Sequence, residues 1–276
     1  DLRFVVKGKD TVHIAIPQNS YRQKILSIIS LRERAVLKVD KWRQRAAGFR
    51  LEGEMKLRAR VYSARFNIIP EKAGQFSDIP DDILRAYTID GEMLKTTSKQ
   101  VQKVKDEVEK LLKKWKKERT TYWVARGAYD YLNSVAHYER IPGWVDAPTL
   151  LERGAGTCSP ISFAYVAICR ALGLPARFAA GTRYRGKDPS EDREFHRWCE
   201  VYLPNYGWVP ADPSAVGHLE LNAAPARSIR FFGYIPDNLL VMTLGGGGSD
   251  IFGWAYNGAG GPMAATWSNI KRPEKK

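Results

Sequence analysis

GAGTCSPISFAYVAICRALGLPARFAAGTRYRGKDPSEDREFHRWCEVYLPNYGWVPADPS, residues 154–214, is the stretch whose reading decides the fold. A glycine-rich run, Gly154 to Thr157, leads into Cys158. Ser159 to Leu172 follows as a buried helix with an apolar wall of Phe163, Val166, Ala167, Cys169 and Ala171. Pro160 suits its first turn, where no amide bond is lost. Cys158 is therefore placed at a helix N-terminus, where the positive dipole end stabilises thiolate. The same amides can donate to an oxyanion on a substrate. Gly173 ends the helix, and Phe178 to Thr182 reads as a strand. Beyond the charged loop 183–194, Phe195–Leu203 and Trp208–Ala211 read as a hairpin turning at Pro204–Gly207. The start of one hairpin strand lies near the end of the other, which brings His196 to Asp212. Thiol, imidazole and carboxylate in that order make a nucleophile, its base and the base's orienter.

Alternation sorts the competitors. His196, Trp198 and Glu200 share one strand face, while Arg197, Cys199 and Val201 share the other. Cys199 points away from His196, and Cys169 lies deep in the helix, so both read as core thiols. His13 within a strand, His137 at a helix end and His218 beyond the aspartate read as structural. No Cys-x-x-Cys or His-x-x-x-His spacing is present, so no metal site is expected. Asp188 to Glu194 mixes carboxylates with arginines and lacks calcium-loop spacing. Gly245–Asp250 lacks the Gly-Lys-Ser/Thr ending of a phosphate loop and reads as a flexible hairpin tip or linker. No cofactor is expected.

Gly156-Thr157-Cys158, the LGLPAR run, HRWCEVYLP from His196 and GWVPADPS from Gly207 together resemble the transglutaminase-like superfamily core. The close match covers about 60 residues, three linked motifs in order. The resemblance implies an α+β fold: a papain-like core, cysteine at a helix N-terminus packed on an antiparallel sheet, behind an N-terminal β unit. It implies a Cys158–His196–Asp212 triad and acyl transfer at an amide bond through a thioester, on a peptide or protein substrate. Hydrolysis is the first expectation and Gln-to-Lys cross-linking the second. A scaffold that keeps the fold without turnover, with a basic anion-binding surface, is the third. Family members often place an aromatic residue upstream of the cysteine at the oxyanion, which nominates Tyr138 and Trp144. Trp198, on the face of His196, is a further candidate on the substrate side. Ser159-Pro160-Ile161 departs from members that carry an aromatic or acidic residue there, which bears on substrate choice.

Outward from this core, Phe4–Val6 and Val12–Ile16 alternate as strands, with Lys7–Asp10 between them as a hairpin turn. Residues 21–39 suit either a helix or strands. Met55, Leu57, Ala59 and Val61 alternate with Lys56, Arg58 and Arg60, giving a half-buried strand with a basic outer face. Residues 1–75 are expected to form the β unit, and 76–276 the core with helical lead-in and C-terminal strands. Val101, Val104, Val108, Leu111 and Trp115 predict an amphipathic helix over 98–119, with a second over 121–137. The tail from Lys271 is expected to fray.

The whole chain has 276 residues, 44% of them hydrophobic, which indicates a folded protein rather than a disordered one. Its net charge of +14 favours an anionic surface or an acidic protein as neighbour. No nucleic-acid module is recognisable, and no apolar run is long enough to span a membrane. Three cysteines do not make a disulfide framework. The compartment stays open: cytoplasmic, or extracytoplasmic after removal of an upstream segment.

Overall fold

The computed structural model describes residues 1–31, 35–217, 221 and 231–271; His218 and the tail from 272 lie outside them. In chain order the strands are β1 (Leu2–Ala15), β2 (Gln23–Leu31), β3 (Val36–Val39), β4 (Arg45–Val61), β5 (Ala64–Arg65), β6 (His137–Tyr138), β7 (Ala155–Gly156) and β8 (Ala176–Arg183). They continue as β9 (Ser190–Asp192), β10 (His196–Leu203), β11 (Gly207–Ala211), β12 (Tyr234–Ile235), β13 (Leu239–Gly245), β14 (Gly258–Ala259) and β15 (Met263–Trp267). The helices are α1 (Asp81–Tyr87), α2 (Lys99–Lys114), α3 (Thr121–Val135), α4 (Ala147–Arg153) and α5 (Cys158–Ala171). The fold is α+β, and the chain forms two compact units: 1–64, 179–196 and 236–276 in one, 65–178 and 197–235 in the other. The β unit therefore includes two later segments that the sequence reading grouped with the core.

The first unit is built on a seven-stranded antiparallel sheet with the path β2-β4-β1-β15-β9, β3 pairing with β4 and β14 with β1. Period-two alternation sets its register. Leu2, Phe4 and Val6 point into the core, and Phe4 lies opposite Met55 and Leu2 opposite Leu57. Burying each such side chain contributes roughly 1.5–3 kcal/mol. Lys56 and Arg58 alternate with them outward, as expected of a sheet with one solvated face. Within 21–39, where helix or strands were both open, the described residues form the strands β2 and β3. The hairpin expected at Lys7–Asp10 does not form. β1 runs straight through it with a register shift between Lys7 and Thr11, still paired to β4. On the other edge, a Cβ on Gly8 would stand 2.3 Å from the Gly260 carbonyl oxygen. Gly8 thus serves close backbone approach rather than a reversal.

The Gly245–Gly248 run is likewise absorbed by packing. The Trp42 ring lies on Gly246, where a Cβ would meet it at 2.4 Å, and its indole donates to the Gly247 carbonyl at 2.9 Å. Asp40 ties the same corner together, accepting from the Ser249 hydroxyl at 2.6 Å and from the Trp42 and Gln44 amides at 2.8 Å.

In the second unit α2 packs on α3, α4 and α5. Ser98 caps α2 by accepting from the Val101 amide, and Val101, Val104, Val108 and Leu111 form its buried stripe. The helix stops at Lys114, short of the expected 119, because Lys116 takes a left-handed φ of 54°. Lys113 and Lys114 in the last turn match the negative end of the dipole. β10 pairs antiparallel with β11.

Candidate active site

Cys158 is the first residue of α5. α4 stops at Gly154, whose φ of 71° is the left-handed C-terminal geometry that glycine adopts freely. Two residues of β7 then deliver the chain to the helix, and a Cβ on Gly156 would stand 2.7 Å from Leu150. Thr157, the N-cap, is extended and does not place its side chain on the helix amides. The first backbone bond of the helix is Ile161 N–H to the Thr157 carbonyl at 3.2 Å, so Pro160 forfeits nothing. The three thiols are distinct. Cys158 is partly exposed, while Cys169 and Cys199 are buried. Burial pushes the Cys169 thiol up to about 12 and raises Cys199 well above its ordinary value.

The same helix carries the link to β10. The Ser162 hydroxyl, one turn after Cys158 and on its face, donates to the Arg197 carbonyl at 3.4 Å, and the Ser162 backbone carbonyl accepts from the Cys199 thiol at 3.5 Å. His196, buried at 8% exposure, is the residue before Arg197 and opens β10. The β10–β11 register pairs Cys199 with Ala211 and Glu200 with Pro210. Asp212 is the residue that follows β11, one position beyond the Cys199–Ala211 pair. Glu200 is committed elsewhere, in a buried ion pair with Arg177 at 2.6 Å.

Asp212, 6% exposed, is held at several points. The Ser214 hydroxyl donates to its Oδ1 at 2.8 Å. Its backbone carbonyl accepts from the buried Tyr129 hydroxyl at 3.0 Å, and its amide donates to the Phe231 carbonyl at 2.8 Å. The short turn that follows, Pro213–Ala215, packs against α5, α3 and β6. The carboxylate and the thiol are thus presented by elements in direct contact. Ser214 lies only two residues from the aspartate, close enough in sequence for its hydroxyl to reach the carboxylate. Nothing local in the sequence marks Tyr129 as a partner of Asp212, 83 residues away.

The three aromatic candidates separate. Tyr138 is 45% exposed and lies in β6, which pairs in parallel with β7 so that Tyr138 stands opposite Gly156, two residues before Cys158. The Glu139 amide donates to the Gly156 carbonyl at 2.9 Å, which secures the pairing. Trp144 is 44% exposed and packs edge-on against Phe163, with the Arg197 guanidinium 4.9 Å from its ring. Trp198 is 1% exposed and its side chain is part of the core. His137 is exposed beside Glu139, and His13 lies on β1, where burial lowers its pKa. Among the described residues no three His, Cys, Asp or Glu side chains form a metal-binding group. No described helix is long and apolar enough to cross a membrane.

Residues 95–213 match the Transglutaminase-like superfamily. This segment is similar to the transglutaminase-like superfamily core. The match begins just before α2 and ends just after Asp212, so it spans all the elements that present Cys158 and Asp212. A candidate cysteine protease from Cytophaga hutchinsonii aligns over 99% of this chain and 91% of its own, at 15% identity and a TM-score of 0.58. That likeness extends the shared fold beyond the transglutaminase-like core to the β unit. The periplasmic domain of TgpA from Pseudomonas aeruginosa covers 77% of this chain and 87% of its own, at 13% identity and a TM-score of 0.36. Red sea bream transglutaminase covers 84% of this chain and 50% of its own, at 12% identity and a TM-score of 0.40. At those scores neither carries an argument. Curated protein sequences give no significant match.

Proposed function

We propose that this transglutaminase-like core hydrolyses an amide bond in a peptide or protein, with Cys158 as nucleophile, His196 as base and Asp212 as orienter. The observation that carries the reading is the face of α5: Cys158 leads it, and Ser162 one turn later bonds to β10 at the residue after His196. The Cys158 thiolate adds to the amide carbonyl, and the oxyanion draws on the amides that open α5. The C–N bond breaks, His196 gives its proton to the leaving amine, and a thioester remains. Water then adds, His196 takes its proton, and the C–S bond breaks to release a carboxylic acid and the free thiolate. Asp212 holds the imidazole in the tautomer that serves both steps. Tyr138, on the strand beside β7, is the aromatic residue proposed for the oxyanion side.

Incubation of a peptide library with and without a primary amine, read by mass spectrometry, tests this. Hydrolysis adds water at the cleaved carbonyl in both samples. Amine adducts in place of acids would make the protein a cross-linker, and products that persist in Cys158→Ala would move the chemistry elsewhere.

A further inference from the structure

Asp192 is fully buried, yet no part of the proposed reaction uses it. It is the last residue of β9, and its two carboxylate oxygens hold both ends of the loop that leads to His196. Oδ2 accepts from the Thr182 hydroxyl at 3.0 Å and from the Arg183 amide at 2.7 Å. Oδ1 accepts from the Arg185 guanidinium at 2.7 and 3.2 Å and from the amides of Glu194 and Phe195, both at 3.3 Å. Thr182 is fixed in turn by the Trp267 indole at 3.1 Å. The charged neighbours are Arg185 and, through Arg185, Glu194 at 3.4 Å.

Phe195 explains what this arrangement is for. Its φ is +47°, a left-handed conformation that a bulky aromatic residue adopts only when its surroundings impose it. Two constraints impose it here: the amide bond to Asp192, and the packing of the ring, with Tyr184, against the core of the first unit. The left-handed residue turns the chain so that β10 starts at His196. A relaxed Phe195 would rotate the backbone that aims the imidazole. We infer that Asp192 is a positioning residue for His196, acting through the Glu194 and Phe195 amides. The inference rests on the reading of His196 as the base for Cys158.

The test is the pH dependence of Cys158 alkylation by iodoacetamide in the full chain, for wild type, His196→Ala, Asp192→Ala and Asp192→Asn. If wild type and His196→Ala give the same profile, the proposed role of His196 fails, and this inference with it. If they differ, Asp192→Ala is expected to lose at least three-quarters of the wild-type rate advantage near neutral pH and to shift its profile toward that of His196→Ala. Asp192→Asn keeps an acceptor for the Phe195 amide and is expected to stay within threefold of wild type. A folded Asp192→Ala with the wild-type profile overturns the inference and leaves the base reading intact. Should Asp192→Ala not fold, Arg185→Gln removes only a half-exposed clamp on the same oxygen. A two- to fivefold slowing then supports the inference, and the wild-type profile overturns it.

Discussion

Titration of the three thiols with iodoacetamide reads the proposed nucleophile before any substrate is known. The attacking species is the thiolate, so reactivity follows the ionised fraction and access. Burial takes the Cys169 thiol from 9.0 to about 12. At neutral pH that rise of about three units cuts the thiolate fraction about 1000-fold relative to an unperturbed thiol, since each unit is a factor of ten. Cys199, buried under the same conditions, is shifted in the same direction. Cys158 is partly exposed at the first position of α5, where the helix end favours the anion. The native protein should therefore take up one label, mapped by mass spectrometry to Cys158, about 1000-fold faster than Cys169 and well ahead of Cys199. Denaturant should release the remaining two, and Cys158→Ala should take up none on the native time scale. Slow labelling of all three at similar rates, or fast labelling of Cys158→Ala, would refute the assignment of an activated thiol to this helix end.

Ser214→Ala removes the hydroxyl bonded to Asp212 Oδ1 and should lower kcat/KM by about tenfold, equivalent to about 1.4 kcal/mol, with little change in melting temperature; a steady-state assay on a peptide found by the library screen checks it. Tyr129→Phe leaves the Asp212 carbonyl without its buried donor and should lower unfolding stability by about 1–2 kcal/mol in urea titration. An unchanged midpoint would show that this hydrogen bond contributes nothing. Gly181→Ala would place a Cβ 1.7 Å from the Leu240 carbonyl oxygen, a backbone atom that cannot swing aside. It should destabilise by about 3 kcal/mol or more, whereas Gly217→Ala, with nothing within 4 Å, should be nearly neutral by the same measurement.

Cys158, His196 and Asp212 could be singled out from sequence because each stands at an element boundary marked by local chemistry: Pro160 in a first turn, an alternating strand, a Pro-Asn-Tyr-Gly reversal. Strand alternation also turned Cys199 away from His196, and it is buried against Ser162 in the structure. The helices α2, α3 and α5 were legible for the same reason, since a period of three to four residues is written in the side chains themselves. Two neighbouring features were misread locally. Lys7–Asp10 has the composition of a turn, but strands on both sides of β1 hold it extended. Gly245–Gly248 has the composition of a linker, but Trp42, some two hundred residues earlier, lies on it. What the sequence by itself determined was which segments are helix or strand and which residue types could perform thiol chemistry, because both depend on neighbours a few positions away. Only the tertiary structure decided that residues 179–196 and 236–276 join the β unit, that Tyr129 holds Asp212, and that Asp192 holds both ends of the loop before His196. Those pairings are selected by burial and hydrogen-bond satisfaction across the folded chain, and no local pattern encodes the identity of a partner so far away.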